Sequence, residues 1–468
     1  MDSELSGERS FWPLAAYSAM VLSAVALFLL IRRYGETLTA PAPPVPLGSA
    51  EPAAAAAAPD ALLHVLLALA VVVVLGRLLG RLFARVGQPP VVGDVIAGIL
   101  LGPSLLGRVA PGVAGYVLPA SVAPSLGVIA QLGVTLYMFL VGLQLDAGLL
   151  RRRAHATVAI SHASIVAPFV LGSMLALFLY PRLSTSDVPF TSFALFMGVA
   201  MSITAFPVLA RILTDRGMAS SELGVVALTC AAADDVTAWC LLAFVAGVAQ
   251  AEMQKALLVT LLAIVFIAAI FVVVRPLVRR IVSRLDDRPP TTEGIALALV
   301  GMLACALTTE WSGVHAIFGA FLFGVVIPHD SSLARALTER LEDLVVILLL
   351  PAFFAFTGMR TRIDLVSGAT DWLICALVVL VATTGKFAGS AVAARLTGLD
   401  WRSAASLGIL MNTRGLMALI VLDLGLNIGV ISPTLFAMMV VMAVVTTVAT
   451  TPMLDLVGPA RVGYNRPA

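Results

Sequence analysis

The sequence predicts an all-α polytopic membrane protein. Thirteen apolar helices form two inverted six-helix repeats joined by a linker helix, and an extra N-terminal helix precedes them. Three observations predict this. Of 468 residues, 60% are hydrophobic and only 12% charged, with a mean hydropathy of +1.03, whereas soluble domains are about 25% charged. Apolar runs recur at lengths close to the ~20 residues that cross a bilayer, and basic residues gather in alternate loops. Short motifs recur at matching places in the two halves. The net charge of +2 suggests no nucleic-acid partner. Cys230, Cys240, Cys305 and Cys375 lie in apolar runs without metal-ligand spacing, and read as small buried hydrophobes. No nucleotide-binding loop or soluble domain is evident.

Residues 12–31 are apolar and end at Arg32-Arg33. Acids beside a lone Arg9 precede the run and the basic pair follows it. A retained helix is therefore expected over a cleaved signal peptide. Residues 38–60 are rich in Pro and Ala and read as a low-complexity linker, which completes an N-terminal segment 1–60. The thirteen runs follow at 61–80, 90–107, 122–142, 155–180, 188–213, 222–248, 256–275, 292–309, 313–328, 343–359, 371–396, 403–426 and 434–454; below they are spans one to thirteen. The first repeat is 61–249, the linker helix 250–290, the second repeat 291–455 and a short tail 456–468.

Loop charge sets the orientation. Nineteen basic residues fall on one side, among them Arg77, Arg81, Arg85, Arg151, Arg152 and Arg153. Seven fall on the other, among them Arg32, Arg33, Arg108 and Lys255. The first side is expected to be cytoplasmic, together with the C-terminus. The regular alternation counts the spans independently.

The repeats are visible as Ala97-Gly-Ile-Leu-Leu-Gly102-Pro103 in span two against Phe318-Gly-Ala-Phe-Leu-Phe-Gly324 in span nine. Span three ends in Gly142 and then Asp146, and span ten in Gly358 and then Asp364. Two six-span units joined by one more span insert with opposite topology, a hallmark of secondary transporters.

Chemistry concentrates in four places. Span six carries Asp234-Asp235 inside an apolar run. A mid-membrane carboxylate costs ~3 kcal/mol on insertion scales, so two in a row point to a site for a cation or a proton. Span five reads Thr204-Ala205-Phe206-Pro207. Pro207 lacks a backbone donor and clashes with the carbonyl four residues back. A break there exposes backbone groups, which is tolerated beside protein or a wet cavity. Span twelve reads Asn412-Thr413-Arg414-Gly415, weakly helical and costly to insert, and looks like the matching break. Paired breaks at corresponding positions point to a transport site. Alternatively, Arg414 snorkels to an interface. Lys386 is the sole lysine inside a span, and its obvious partner is one of the two aspartates. Asp94, Asp423 and Glu310 read as structural or solvated.

Together, Thr-Ala-Phe-Pro-Val-Leu-Ala-Arg at 204–211, Asp234-Asp235, Gly-Ala-Phe-Leu-Phe-Gly at 319–324, Lys386 and Asn-Thr-Arg-Gly at 412–415 resemble the monovalent cation:proton antiporters. The nearest likeness is to their second family, which includes bacterial Na⁺/H⁺ and plant cation/H⁺ exchangers. The resemblance covers about residues 60–455. It implies the thirteen-helix antiporter fold, with spans five and twelve crossing as broken helices. Spans one to three and eight to ten would form a dimerisation scaffold, and spans four to six and eleven to thirteen a mobile core. It further implies that Asp235 takes the monovalent cation or proton, that Asp234 pairs with Lys386, and that Thr204 lies near the ion.

Two features depart from common members. Plant relatives commonly have Asn at the position of Asp234, and an Asp there goes with electrogenic exchange. Many relatives have Glu where this chain has Ala418. The large cytosolic domain of some relatives is not seen.

The expected function is exchange of Na⁺ or K⁺ for protons in the inner (plasma) membrane, by a homodimer needing no cofactor. The alternative is a K⁺ efflux system or channel-like conductor. An intramembrane aspartyl protease is excluded. Its two carboxylates must face each other, whereas neighbours on a helix point about 100° apart, and no Gly-x-Gly-Asp motif is present.

Overall fold

The computed structural model describes residues 5–42, 61–144, 154–219, 221–249, 253–285 and 291–457. The Ala/Pro linker at 43–60, Asp146, Arg151 to Arg153 and the tail at 458–468 lie outside the described residues. The described residues hold twelve helices long and apolar enough to cross a membrane, or thirteen with one bent pair counted as a single span.

Two compact units form, and neither is continuous in sequence. The first comprises Met1–Pro43, Arg152–Ala238 and Gly368–Ala468; the second comprises Pro44–Arg151 and Trp239–Ser367.

The second unit holds α2 (Ala61–Arg85), α3 (Pro90–Leu101) and α4 (Ala123–Gln144). The long helix that the two units share runs Glu222–Ala249 and belongs to the first unit as far as Ala238. Close backbone packing organises the second unit. Gly98 of α3 abuts Gly358 of the helix Leu350–Arg360, and Gly142 of α4 abuts Gly324 of the helix Ala316–Val326. A Cβ at any of these four would collide with backbone, so the glycines let the helices touch. Span two thus packs on span ten, and span three on span nine. Ala316–Val326 has only 11 residues, about 16 Å of helix, which is shorter than the span expected at 313–328. Glu310 accepts a hydrogen bond from the Ala316 amide at 2.8 Å, so this acid closes the start of that short helix.

The first unit holds α1 (Leu5–Gly35), the helices Ala154–Leu183 and Phe190–Ser202, and the others that carry the site. Numbered on in chain order, these are α5 (Ala154–Leu183), α6 (Phe190–Ser202), α7 (Phe206–Asp215) and α8 (Glu222–Ala249). In the second unit come α9 (Met253–Ala269), α10 (Arg275–Leu285), α11 (Thr292–Trp311), α12 (Ala316–Val326), α13 (Ser332–Leu344) and α14 (Leu350–Arg360). The first unit resumes with α15 (Gly368–Leu396), α16 (Trp401–Met411), α17 (Gly415–Asn427) and α18 (Pro433–Val457). The N-terminal helix α1 lies on α5 and α6. Tyr17 meets His162 edge-on at 5.2 Å and Phe28 meets Phe169 at 5.7 Å. Beyond its end, Glu36 accepts from the Thr191 hydroxyl at 3.0 Å.

Candidate functional site

The site is built where α5, α8, α15 and two interrupted helices converge inside the first unit. Glycine sets the distance between α5 and α15. A Cβ on Gly385 would come within 2.8 Å of Pro168 Cα, and one on Gly389 within 2.6 Å of the Ala163 carbonyl oxygen. Without side chains at these positions α15 approaches α5 backbone to backbone. Lys386, next to Gly385, is thereby brought to the polar face of α5, which carries Ser161 and Ser164.

Asp234 is fully buried and fully engaged. Lys386 Nζ lies 2.8 Å from its Oδ2. Ser161 donates to Oδ1 at 2.6 Å, and Ser164 to Oδ2 at 2.7 Å. The Thr204 hydroxyl is 3.0 Å from Oδ2. Lys386, also fully buried, donates to the Ser202 carbonyl at 2.6 Å. A buried ion pair offsets its desolvation only when further hydrogen bonds satisfy both ions, and those bonds are present here.

Asp235 is 1% exposed, and neither carboxylate oxygen has a hydrogen-bond partner among the described residues. Buried polar groups are almost always paired. A buried carboxylate whose oxygens are both open can take a proton or the oxygen-seeking shell of a cation.

The two interruptions meet beside Asp234. Ile203 and Ala205 are extended between α6 and α7, with ψ of 135° and 91°. Pro207 sits in the first turn of α7, where its missing N–H costs nothing. The second interruption, at Asn412 to Arg414, bends α16 against α17 by 43°. Gly415 begins α17 at φ +48°. The Ala205 amide donates to the Thr413 carbonyl at 2.7 Å, and the Thr204 hydroxyl reaches the Met411 carbonyl at 3.1 Å. The two interruptions are therefore in direct contact.

Arg414 does not snorkel. It is fully buried, donating to the carbonyls of Ala200 at 3.3 Å and Ala382 at 3.0 Å. Ala382 lies one turn before Lys386, so Arg414 ties the end of α6 to the helix that carries the lysine. The Asn412 side-chain oxygen is buried without a partner among the described residues. Asp423 accepts from Asn427 at 3.0 Å, a local contact within α17.

The model of the sodium/hydrogen exchanger transmembrane family matches residues 66–456. The chain belongs to the sodium/hydrogen exchanger family. It is 42% identical over 404 residues to the Na⁺/H⁺ antiporter NhaS4 of Synechocystis, covering 86% of this chain and 98% of that protein. It is 38% identical to cation/H⁺ antiporter 20 of Arabidopsis thaliana, over 84% of this chain and 48% of the relative. With K⁺/H⁺ antiporter 1 of Saccharomyces cerevisiae the identity is 34%, over 81% of this chain and 44% of the relative. The chain thus spans about half the length of these plant and yeast relatives. Among solved structures, the sodium proton antiporter MjNhaP1 from Methanocaldococcus jannaschii matches at a TM-score of 0.65, over 85% of this chain and all of that one. At 14% identity this match establishes the antiporter fold alone.

In this exchanger-family chain, Asp234, Lys386, Thr204 and both breaks gather in one cluster, with Asp235 adjacent in sequence. Sequence reasoning missed Ser161 and Ser164. Their i, i+3 spacing in an apolar helix places two hydroxyls on one face, which was the available signal. It also missed Ser202, whose carbonyl holds Lys386, and the threonines of α18.

Proposed function

We propose that the protein exchanges a monovalent cation, Na⁺ or K⁺, for protons, with both ions competing at Asp235. The observation that carries this reading is the contrast at one buried pair: Asp234 is fully engaged by Lys386 and three hydroxyls, and Asp235 is left open. A proton arriving from one side neutralises Asp235, and a cation arriving from the other displaces it. Alternating access is assigned to movement of the first unit, and the scaffold and homodimer contact to the second. The reciprocal packing of span two on ten and span three on nine supports two inverted repeats, because exchanging the repeats maps one pair onto the other. Exchange is electrogenic in this reading, as expected for Asp at position 234. The reading places the protein in the inner membrane, and the loop charges support a cytoplasmic C-terminus.

The test is dye-detected proton movement in vesicles on addition of Na⁺ or K⁺. Asp235→Asn is expected to abolish it at unchanged expression. Normal exchange by that variant would sink the assignment, and currents independent of a pH gradient would favour a channel-like conductor.

A further inference from the structure

The second break is held from the side by α18, and we propose that Thr447 and Thr450 are positioning residues that set the ion site through residues 413–415. The proposal rests on the exchange reading above. Thr446, Thr447, Thr450 and Thr451 are all buried. Thr447 spends its hydroxyl proton on the Ala443 carbonyl at 2.7 Å, which leaves its oxygen free to accept. It accepts from the Gly415 amide at 2.9 Å. Gly415 opens α17, and the first amides of a helix have no acceptor within it. An N-cap side chain ordinarily supplies one, but Arg414 at that position gives none. Thr447 therefore caps α17 from a neighbouring helix.

Thr450 works beside it. Its hydroxyl donates to the Thr446 carbonyl at 3.0 Å and meets the Thr413 hydroxyl at 3.2 Å. Beyond it, the Ala205 amide donates to the Thr413 carbonyl, and the Thr204 hydroxyl shares its one proton between the Met411 carbonyl and Asp234 Oδ2. Gly415, at φ +48°, has the widest backbone freedom in the break. Fixing its amide fixes where the 411–413 carbonyls point. Among the described residues neither threonine hydrogen-bonds an aspartate, so their effect passes through the break.

The experiment compares wild type with Thr447→Val, which keeps the shape and loses the oxygen, and with Thr447→Ser, which keeps the oxygen. Two quantities are read on purified full-length protein. One is the half-saturating cation concentration for exchange in proteoliposomes. The other is amide hydrogen exchange of the segment 412–418. Thr447→Val is expected to raise the half-saturating concentration about fivefold and to speed exchange at 412–418 by a similar factor. Thr447→Ser is expected to restore both, and Thr450→Val to move both in the same direction by less. Unchanged half-saturation in Thr447→Val overturns the proposal, even if melting temperature falls, because a merely structural threonine would do only that. If wild type shows no cation/proton exchange, the functional reading fails by itself. The hydrogen-exchange arm then decides: unchanged protection at 412–418 overturns the cap, and faster exchange reversed by Ser sustains it.

Discussion

Asp234 and Asp235 are neighbours in sequence, equally deep, and opposite in their wiring. Asp234 points into a ready-made polar nest: an ammonium at 2.8 Å and three hydroxyls within 3.0 Å. Asp235, about 100° further round the helix, meets no hydrogen-bond donor among the described residues. The difference teaches that burial alone does not define a transport site. The saturated acid fixes the architecture by joining α5, α8 and α15 to the first break. In the proposed reading the open one keeps its oxygens for an exchangeable ion, while Lys386 is engaged by its neighbour.

Changes to the pair test this contrast most strongly. Asp235→Asn should abolish exchange while melting at or above wild type, since it removes an unpartnered buried carboxylate. Asp234→Asn should show the reverse balance. It keeps the open acid and so some exchange, but leaves Lys386 without a counter-ion, at a cost of about 3–5 kcal/mol. Lys386→Ala should destabilise by a similar amount. The double change Asp234→Asn with Lys386→Gln should melt closer to wild type than either single loss of a charge, and its exchange should respond less to membrane potential. Thermal melting and potential-dependent exchange check both; a double variant no better than Lys386→Ala would break the pairing.

The hydroxyls give a smaller effect. Ser161→Ala and Ser164→Ala each remove a bond to a charged group, so each should cost about 1.5–3 kcal/mol. Neither should remove exchange. Gly415→Ala is expected to cost about 1–2 kcal/mol. At φ +48° its new Cβ would also lie 2.6 Å from Val208 Cγ2. Denaturation of purified protein reads both, and a neutral Gly415→Ala would mean the break relaxes freely.

Far from the site, the contact at the end of α1 should matter least. The hydrogen bond from Arg32, with help from Thr191, holds the Glu36 carboxyl below its usual range. A lowered folded-state pKa contributes stability above the unfolded value, and that stability is lost as pH falls through the folded value. Docking of this end of α1 should therefore weaken only on the acid side of the carboxylate range. The pair is about half exposed, with side chains 42% and 48% accessible, so Glu36→Gln should change α1 protection by a few tenths of a kcal/mol. Amide exchange of α1 at neutral and acid pH measures it.

Much of this was legible in the sequence because membranes penalise polarity. A lysine, an arginine and two aspartates inside apolar runs have to be explained, and Pro207 and Gly415 mark backbone that cannot continue as helix. Serine and threonine carry no such penalty, since their hydroxyls bond the carbonyl one turn back. Ser161, Ser164, Thr447 and Thr450 therefore look ordinary until the fold shows what their oxygens face. Arg414 is ambiguous in sequence for a related reason: its long side chain can reach an interface or a carbonyl cage, and only the packing of α6 against α15 and α17 decides. The grouping of distant segments into two units is a matter of tertiary contact, which helix periodicity does not encode.

The central claim is that one carboxylate, Asp235, holds either a proton or a cation. The direct measurement is proton release from purified protein, in weakly buffered detergent solution, on titration with Na⁺ or K⁺. The account predicts saturable release from wild type and from Asp234→Asn with Lys386→Gln, and none from Asp235→Asn. Undiminished release from Asp235→Asn would contradict it.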